Sequence, residues 1–205
     1  MRKIILASAS PQRRKLMAVL GLPFTIRAPS TLKEITRSNA GCAALVKANA
    51  FLKAKDIASR VTSGLVVGVD TVVCSARGRL IFKPKDLKAA KADLKELMAR
   101  PRKGAWPQRG FTPHWVHSGV AIVDAATGKT AVGHEKTRVF MDRLSGKAID
   151  RYHRLVSPLD KAGGFDIEGK GALFIPRIEG CYFNVVGLPL ARLRKMLEKF
   201  GVHVL

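Results

Sequence analysis

Acidic side chains are scarce in this chain: of 205 residues only 15 are Asp or Glu, against 37 Lys or Arg, leaving a formal charge of +22. That imbalance predicts a positive field that attracts phosphorylated partners of any size, nucleotide or nucleic acid. Cysteine is scarce as well. Cys42, Cys74 and Cys181 are odd in number and far apart, with no second thiol or histidine at metal-ligand spacing. This excludes a disulfide framework or a zinc site and predicts a reducing, cytoplasmic location. Apolar runs fall short of the ~20 residues a membrane span needs, and "MRKIILASAS" lacks the apolar length of a secretory leader. No membrane partner is expected. Neither GxxxxGK[ST] nor GxGxxG after a strand occurs, and there is no internal repeat or low-complexity segment.

What is present suffices for a buried core: 47% of residues are hydrophobic, and a chain of this length forms one domain or two tightly associated lobes. "KIILA" reads as a buried strand, and Ser10-Pro11 joins a good N-cap to the residue preferred at the first helical position. Leu16, Met17 and Leu20 then recur at helical spacing up to the stop at Gly21. Residues 39–60 are helix-favouring, and "LVVGVDTVV" is too β-branched for a helix, giving a strand pair or one long strand. Asp86 caps a helix expected to place Leu87, Leu94, Leu97 and Met98 on one face. "VHSGVAIVDA" and "KTRVFMD" read as strands joined through "ATGKT", and "LSGKAIDRYHRLV" as a helix capped by serine. "ALFIPRI" and "NVVGL" read as strands, and "PLARLRKMLEKFG" as a helix ended by Gly201. Interleaved strands and helices predict an α/β fold with a mixed twisted sheet and flanking helices.

The chemistry concentrates in a few places. In "LASASPQRR" the N–H groups of a helix start, the hydroxyls of Ser8 and Ser10 and the guanidinium of Arg13 either form an anion site or simply cap a helix beside solvated arginines. Asp70, inside an apolar run, either ionises beside a cation or metal, as a general base or ligand would, or caps a turn at a strand end. Lys53 and Lys83 could reach phosphates or be solvated. Glu34 is the single acid among nine basic residues in the first fifty positions. "SPLDKAGGFDIEGKG" packs acids, lysines and glycines too densely for a mere connection, and its glycines permit close approach of backbone to a ligand.

In order and spacing, "LASASPQRRKLM", "APSTLKE", "ANAFLKA", "GVDTVV" with "KPKD", "SGVAIVD", "SPLDKAGGFDIEGKGA" and "NVVGLPL" resemble the Maf family of nucleoside triphosphate pyrophosphatases across nearly the whole chain. The resemblance implies a single Maf-like domain over residues 1–205, with two lobes around a deep cleft. It also implies hydrolysis of the α–β phosphate bond of a nucleoside triphosphate with a divalent cation, Mg²⁺ or Mn²⁺. It makes Asp70 the proton acceptor and, with Glu34, a metal ligand, and makes Ser8, Arg13, Lys53 and Lys83 the phosphate-binding set. Such cations would neutralise the triphosphate before a negatively charged nucleophile approaches.

The specificity positions are mixed. Members acting on dTTP and UTP usually read Ser-Pro-Arg-Arg, Asp-Thr and Ile-Gln-Gly; here Gln12 replaces the first arginine, Thr71 is kept and Glu168 replaces the glutamine. The branch acting on 7-methyl-GTP carries an aromatic at the first position, Asp-Gln at the second and a glutamate at the third. Thr71 and the run Asp160 to Gly163 follow the pyrimidine branch, which sets the expectation of a dTTP/UTP-type enzyme, with 7-methyl-GTP/CTP-type specificity as the alternative. Phe82, where glycine usually precedes Lys-Pro, is a further departure. The resemblance leaves a homodimer open and does not cover a basic loop at about 100–113. Trp106 and Phe111 among its arginines could offer a weak surface to single-stranded nucleic acid. The alternative of another class is a basic nucleic-acid or partner-binding protein with a vestigial cleft.

Overall fold

The computed structural model describes residues 2–30, 32–99 and 112–205. Among the described residues seven strands, β1 (Ile4–Ala7), β2 (Phe24–Ile26), β3 (Leu65–Cys74), β4 (Leu80–Ile81), β5 (Thr112–Asp124), β6 (Thr130–Met141) and β7 (Arg177–Glu179), lie in the order β2-β1-β3-β5-β6-β7, with β4 on β3. Helices α1 (Pro11–Val19), α2 (Gly41–Ala58), α3 (Leu87–Leu97), α4 (Gly146–Leu155), α5 (Tyr182–Val186) and α6 (Leu190–Glu198) intervene. The sheet is mixed, as expected: β1 runs parallel to β2 and β3, while β3–β4 and β6–β7 are antiparallel.

The chain divides into two compact units, the first comprising residues 1–71, 117–135 and 183–205, the second residues 72–116 and 136–182. In the first unit, successive residues of β1 and β3 point to opposite faces. Ile4, Leu6, Leu65, Val67 and Val69 join Leu16 and Met17 of α1 and Leu193, Met196 and Leu197 of α6 in one core. On the opposite face Ile5, Ala7 and Val66 pack with Ala50, Ala54 and Ile57 of α2. Gly68 and Gly119 bring α2 very close. A Cβ on Gly68 would stand 2.1 Å from the Ala50 carbonyl oxygen, and one on Gly119 would stand 2.1 Å from that of Val46.

In the second unit, α3 packs on α4 and on the 3-10 turn Ala162–Gly164. Asp166 is the hub of the glycine-rich segment. The Tyr152 hydroxyl donates to its Oδ1 at 2.6 Å and accepts from its N–H at 2.9 Å, and Gly171 N–H donates to the same Oδ1 at 2.9 Å. Burial and the Asp166 carboxylate raise the Tyr152 hydroxyl above its ordinary pKa.

Several expectations need correction. "NVVGL" is not a strand: Tyr182–Val186 is helical and Leu188 lies beyond it. Within "ALFIPRI" only Arg177 and Ile178 reach a strand, because residues 170–173 form a 3-10 turn. Leu87 is exposed rather than on the buried face of α3, as befits its place directly after the cap Asp86. "LVVGVDTVV" is one strand, and Thr112 and Pro113 belong to β5 instead of a loop. Residues 100–111 of the basic loop lie outside the described residues.

Candidate active site

Strand β1 delivers the chain to Ser8–Ser10, where α1 begins. Ser10 Oγ accepts from Arg13 N–H at 3.4 Å and donates to Gln12 Oε1 at 3.3 Å, while Ser10 N–H donates to Ser8 Oγ at 3.3 Å. Pro11 occupies the first turn, where its missing N–H costs nothing. Beside this turn opens a cavity of about 730 Å³ lined by Ser8, Ser10, Arg14, Lys15 and Phe24, among others. Arg14 and Lys15 form no ion pair among the described residues, so the cavity carries cations and hydroxyls suited to an anion.

Arg13 points elsewhere. Its Nε donates to Gly187 O at 3.1 Å, its Nη1 to Val69 O at 3.0 Å and Ser8 Oγ at 3.2 Å, and its Nη2 to Thr71 Oγ1 at 3.0 Å. Gly187 has a φ of 122°, which side-chain-bearing residues rarely adopt, and this conformation positions the carbonyl that receives Arg13. Burial pulls the guanidinium pKa down, opposed by the fields of Asp70 and Glu34. Thr71 Oγ1 also shares a 2.9 Å hydrogen bond with Ser118 Oγ.

Because alternate residues of a strand face opposite ways, Asp70 projects toward α2 when Thr71 turns toward Arg13. Asp70 is only 6% exposed. Its Oδ1 lies 2.7 Å from Lys53 Nζ and its Oδ2 accepts from Asn49 Nδ2 at 3.1 Å. Asn49 and Lys53 are one turn apart on α2, and the close seating at Gly68 allows both to reach the acid. Glu34 Oε1 meets the same Lys53 Nζ at 2.8 Å, with half of its side chain in solvent. Asn49 also fixes the Glu34 segment, accepting from Ile35 N–H at 2.8 Å and donating to Ile35 O at 2.9 Å. Donors face both Asp70 oxygens, Lys53 on Oδ1 and Asn49 on Oδ2, and offset the cost of burying an acidic side chain.

The residues singled out from sequence thus fall into two clusters of the first unit, Ser8–Gln12–Arg13–Thr71 and Glu34–Lys53–Asp70. Lys83 and Glu168, both exposed, belong to the second unit. Asn49 escaped the sequence reading, since a lone asparagine in a helix carries no motif. Gly68 and Gly119 were the available signal, as glycines inside β-branched runs that mark close backbone approach.

By architecture and site this is an α/β protein with an anion-attracting strand-to-helix turn and a buried acid–ammonium cluster. The chain belongs to the family described as Maf-like protein, which it matches over residues 3–200. It is 43% identical to a dTTP/UTP pyrophosphatase of Pelotomaculum thermopropionicum over all of both chains. It is 44% identical to one of Moorella thermoacetica, covering all of this chain and 98% of the relative. A dTTP/UTP pyrophosphatase of Methanosarcina barkeri is 40% identical, over all of this chain and 97% of that protein. Among solved structures, a nucleoside-triphosphatase described as a dITP/XTP pyrophosphatase, from Mycobacterium abscessus, matches with a TM-score of 0.44 and 19% identity over 69% of this chain and 75% of that one.

Proposed function

We propose that this protein is a nucleoside triphosphate pyrophosphatase of dTTP/UTP type, releasing a nucleoside monophosphate and pyrophosphate. The carrying observation is the buried Asp70 held between Lys53 and Asn49 in a chain at 36–44% identity to proteins named dTTP/UTP pyrophosphatase. In this reading a water oxygen bonds to the α-phosphorus, its proton passes to Asp70, and the α–β bridging oxygen leaves with pyrophosphate. Ser8, Arg13, Lys53 and Lys83 neutralise the triphosphate. Four of the five Arg13 N–H groups serve the protein, so it acts chiefly by its charge, and Arg14 and Lys15 add direct contacts from the cavity beside Ser8.

Glu34 and Asp70 present hard oxygen donors on either side of one ammonium, and no third His, Cys, Asp or Glu joins them among the described residues. That set fits Mg²⁺ or Mn²⁺, which accept one or two carboxylates and complete their shell with water and phosphate oxygens. Bound there, the cation would neutralise phosphate charge and acidify water.

For the base, Thr71 is committed to Arg13 and Ser118, leaving Gln12 and the exposed Glu168 as discriminating side chains. The test incubates the purified chain with Mg²⁺ or Mn²⁺ and dTTP, UTP, CTP or 7-methyl-GTP. Pyrophosphate released from dTTP and UTP is the expected result, and release of orthophosphate alone, or nothing, refutes the reading. Preference for 7-methyl-GTP that Glu168→Gln reverses would favour the alternative specificity.

A further inference from the structure

The second unit holds a groove outside every residue discussed as catalytic. Its volume is about 380 Å³, within the range of small-molecule sites. One wall is a single face of α4, with Ala148, Arg151, Tyr152 and Leu155 at the i, i+3, i+4, i+7 spacing of helical neighbours. The other is the 3-10 turn ending in Leu173 and Phe174. Tyr152 and Phe174 meet edge to face at 5.0 Å and form an aromatic floor. Tyr152 and Phe174 are themselves buried, at 6% and 4% exposure, and the Tyr152 hydroxyl is spent on Asp166, so the floor is closed and apolar.

Leu173 is 84% exposed and Leu155 59% exposed, so two large apolar side chains stand in water at the edge of the groove. Three cations accompany them. Lys147, Arg151 and Lys170 line the groove, all three exposed and without an ion pair among the described residues, and no acid lines it. Of the other cations in this unit, Lys91 is paired with Asp150 and Arg79 with Asp93, whereas Lys85, Lys88 and Arg154 form no ion pair among the described residues. The groove is set apart by three cations gathered beside exposed leucines with no acid among its lining residues. Charge disfavours two occupants. A second copy of a chain of net charge +22 is repelled, and the chain's own segment 100–111 has four basic residues and no acid.

We propose that this groove binds a small amphiphilic anion, its apolar body seated on Tyr152, Phe174 and the two leucines and its carboxylate met by Arg151, Lys147 and Lys170. The desolvated apolar contact supplies the affinity and the cations select the charged head.

The experiment titrates the full chain calorimetrically with octanoate, 1-octanol and acetate. Saturable binding of octanoate at one site is expected, with octanol weaker and acetate silent. Leu173→Ser and Arg151→Gln alter exposed side chains and leave the fold intact; each is expected to weaken octanoate by about tenfold, the equivalent of ~1.4 kcal/mol. Octanol binding as tightly as octanoate, octanoate binding unchanged in both variants, or no saturable binding would overturn the proposal. Sedimentation with phosphatidylglycerol vesicles that depends on Leu173, without octanoate binding, would likewise overturn it in favour of a lipid surface.

Discussion

Lys53 Nζ lies 2.7 Å from Asp70 Oδ1, and both residues are buried, at 8% and 6% exposure. The pair shares little water, so each charge depends on the other for stabilisation. Replacing Lys53 with Met is therefore expected to cost about 3–5 kcal/mol in denaturant unfolding, because it strands a buried carboxylate. Adding Asp70→Asn to Lys53→Met should recover part of that loss. A double variant no more stable than Lys53→Met would mean that the pair is not coupled.

Asp70→Asn alone keeps the shape of the side chain and removes its capacity to take a proton. Turnover should fall by about 10²–10⁴-fold, the usual contribution of a positioned general base, while nucleotide binding by equilibrium dialysis persists. Undiminished pyrophosphate release would remove Asp70 from its role.

Gly68→Ala places a methyl group 2.1 Å from the Ala50 carbonyl oxygen, which belongs to the backbone of α2 and cannot rotate away. Overpacking of this kind costs about 1–3 kcal/mol or more. Since displacement of α2 also carries Asn49 and Lys53 away from Asp70, activity at a temperature where the variant is folded should drop further than stability does. Thermal melting and turnover measured on the same preparation separate the two effects.

His114, fully buried in β5 with neither ring nitrogen hydrogen-bonded, is pushed by burial from 6.5 down to about 3. Below about pH 6.5 the unfolded chain takes up a proton that the folded chain refuses. Stability is thus complete above that pH and falls by about 1.4 kcal/mol per unit as pH drops toward 3. His153, also lowered by burial, adds in the same direction. His114→Phe should reduce the slope of unfolding free energy between pH 6 and 4 by about one proton. An unchanged slope would show that His114 is solvated.

The local devices were the most legible part of the sequence. Ser10-Pro11 marked the start of α1, Asp86 that of α3 and Ser145 that of α4, because a cap is decided by a few neighbouring atoms. "NVVGL" misled because two valines favour a strand by propensity, whereas this short turn is helical in its tertiary setting. Asp70, Lys53 and Glu34 were recognisable as a set through family resemblance, but not their geometry, which depends on how closely α2 approaches β3. Arg13 shows what only the fold can add. An arginine after an anion-type turn reads as a ligand for phosphate, and the fold reveals carbonyls and hydroxyls of the protein accepting from four of its five N–H groups.

The contact between Arg13 and Gly187 spans 174 positions of the chain. A ribosome makes residue 13 long before residue 187, so through most of synthesis the guanidinium lacks one of its acceptors. Val69 and Thr71 arrive earlier and can hold it only in part. The strand-to-helix turn is therefore completed last although it is made first, and a nascent chain stalled before Gly187 carries every acidic and basic residue of the cluster around Asp70 without the clamp that finishes the turn.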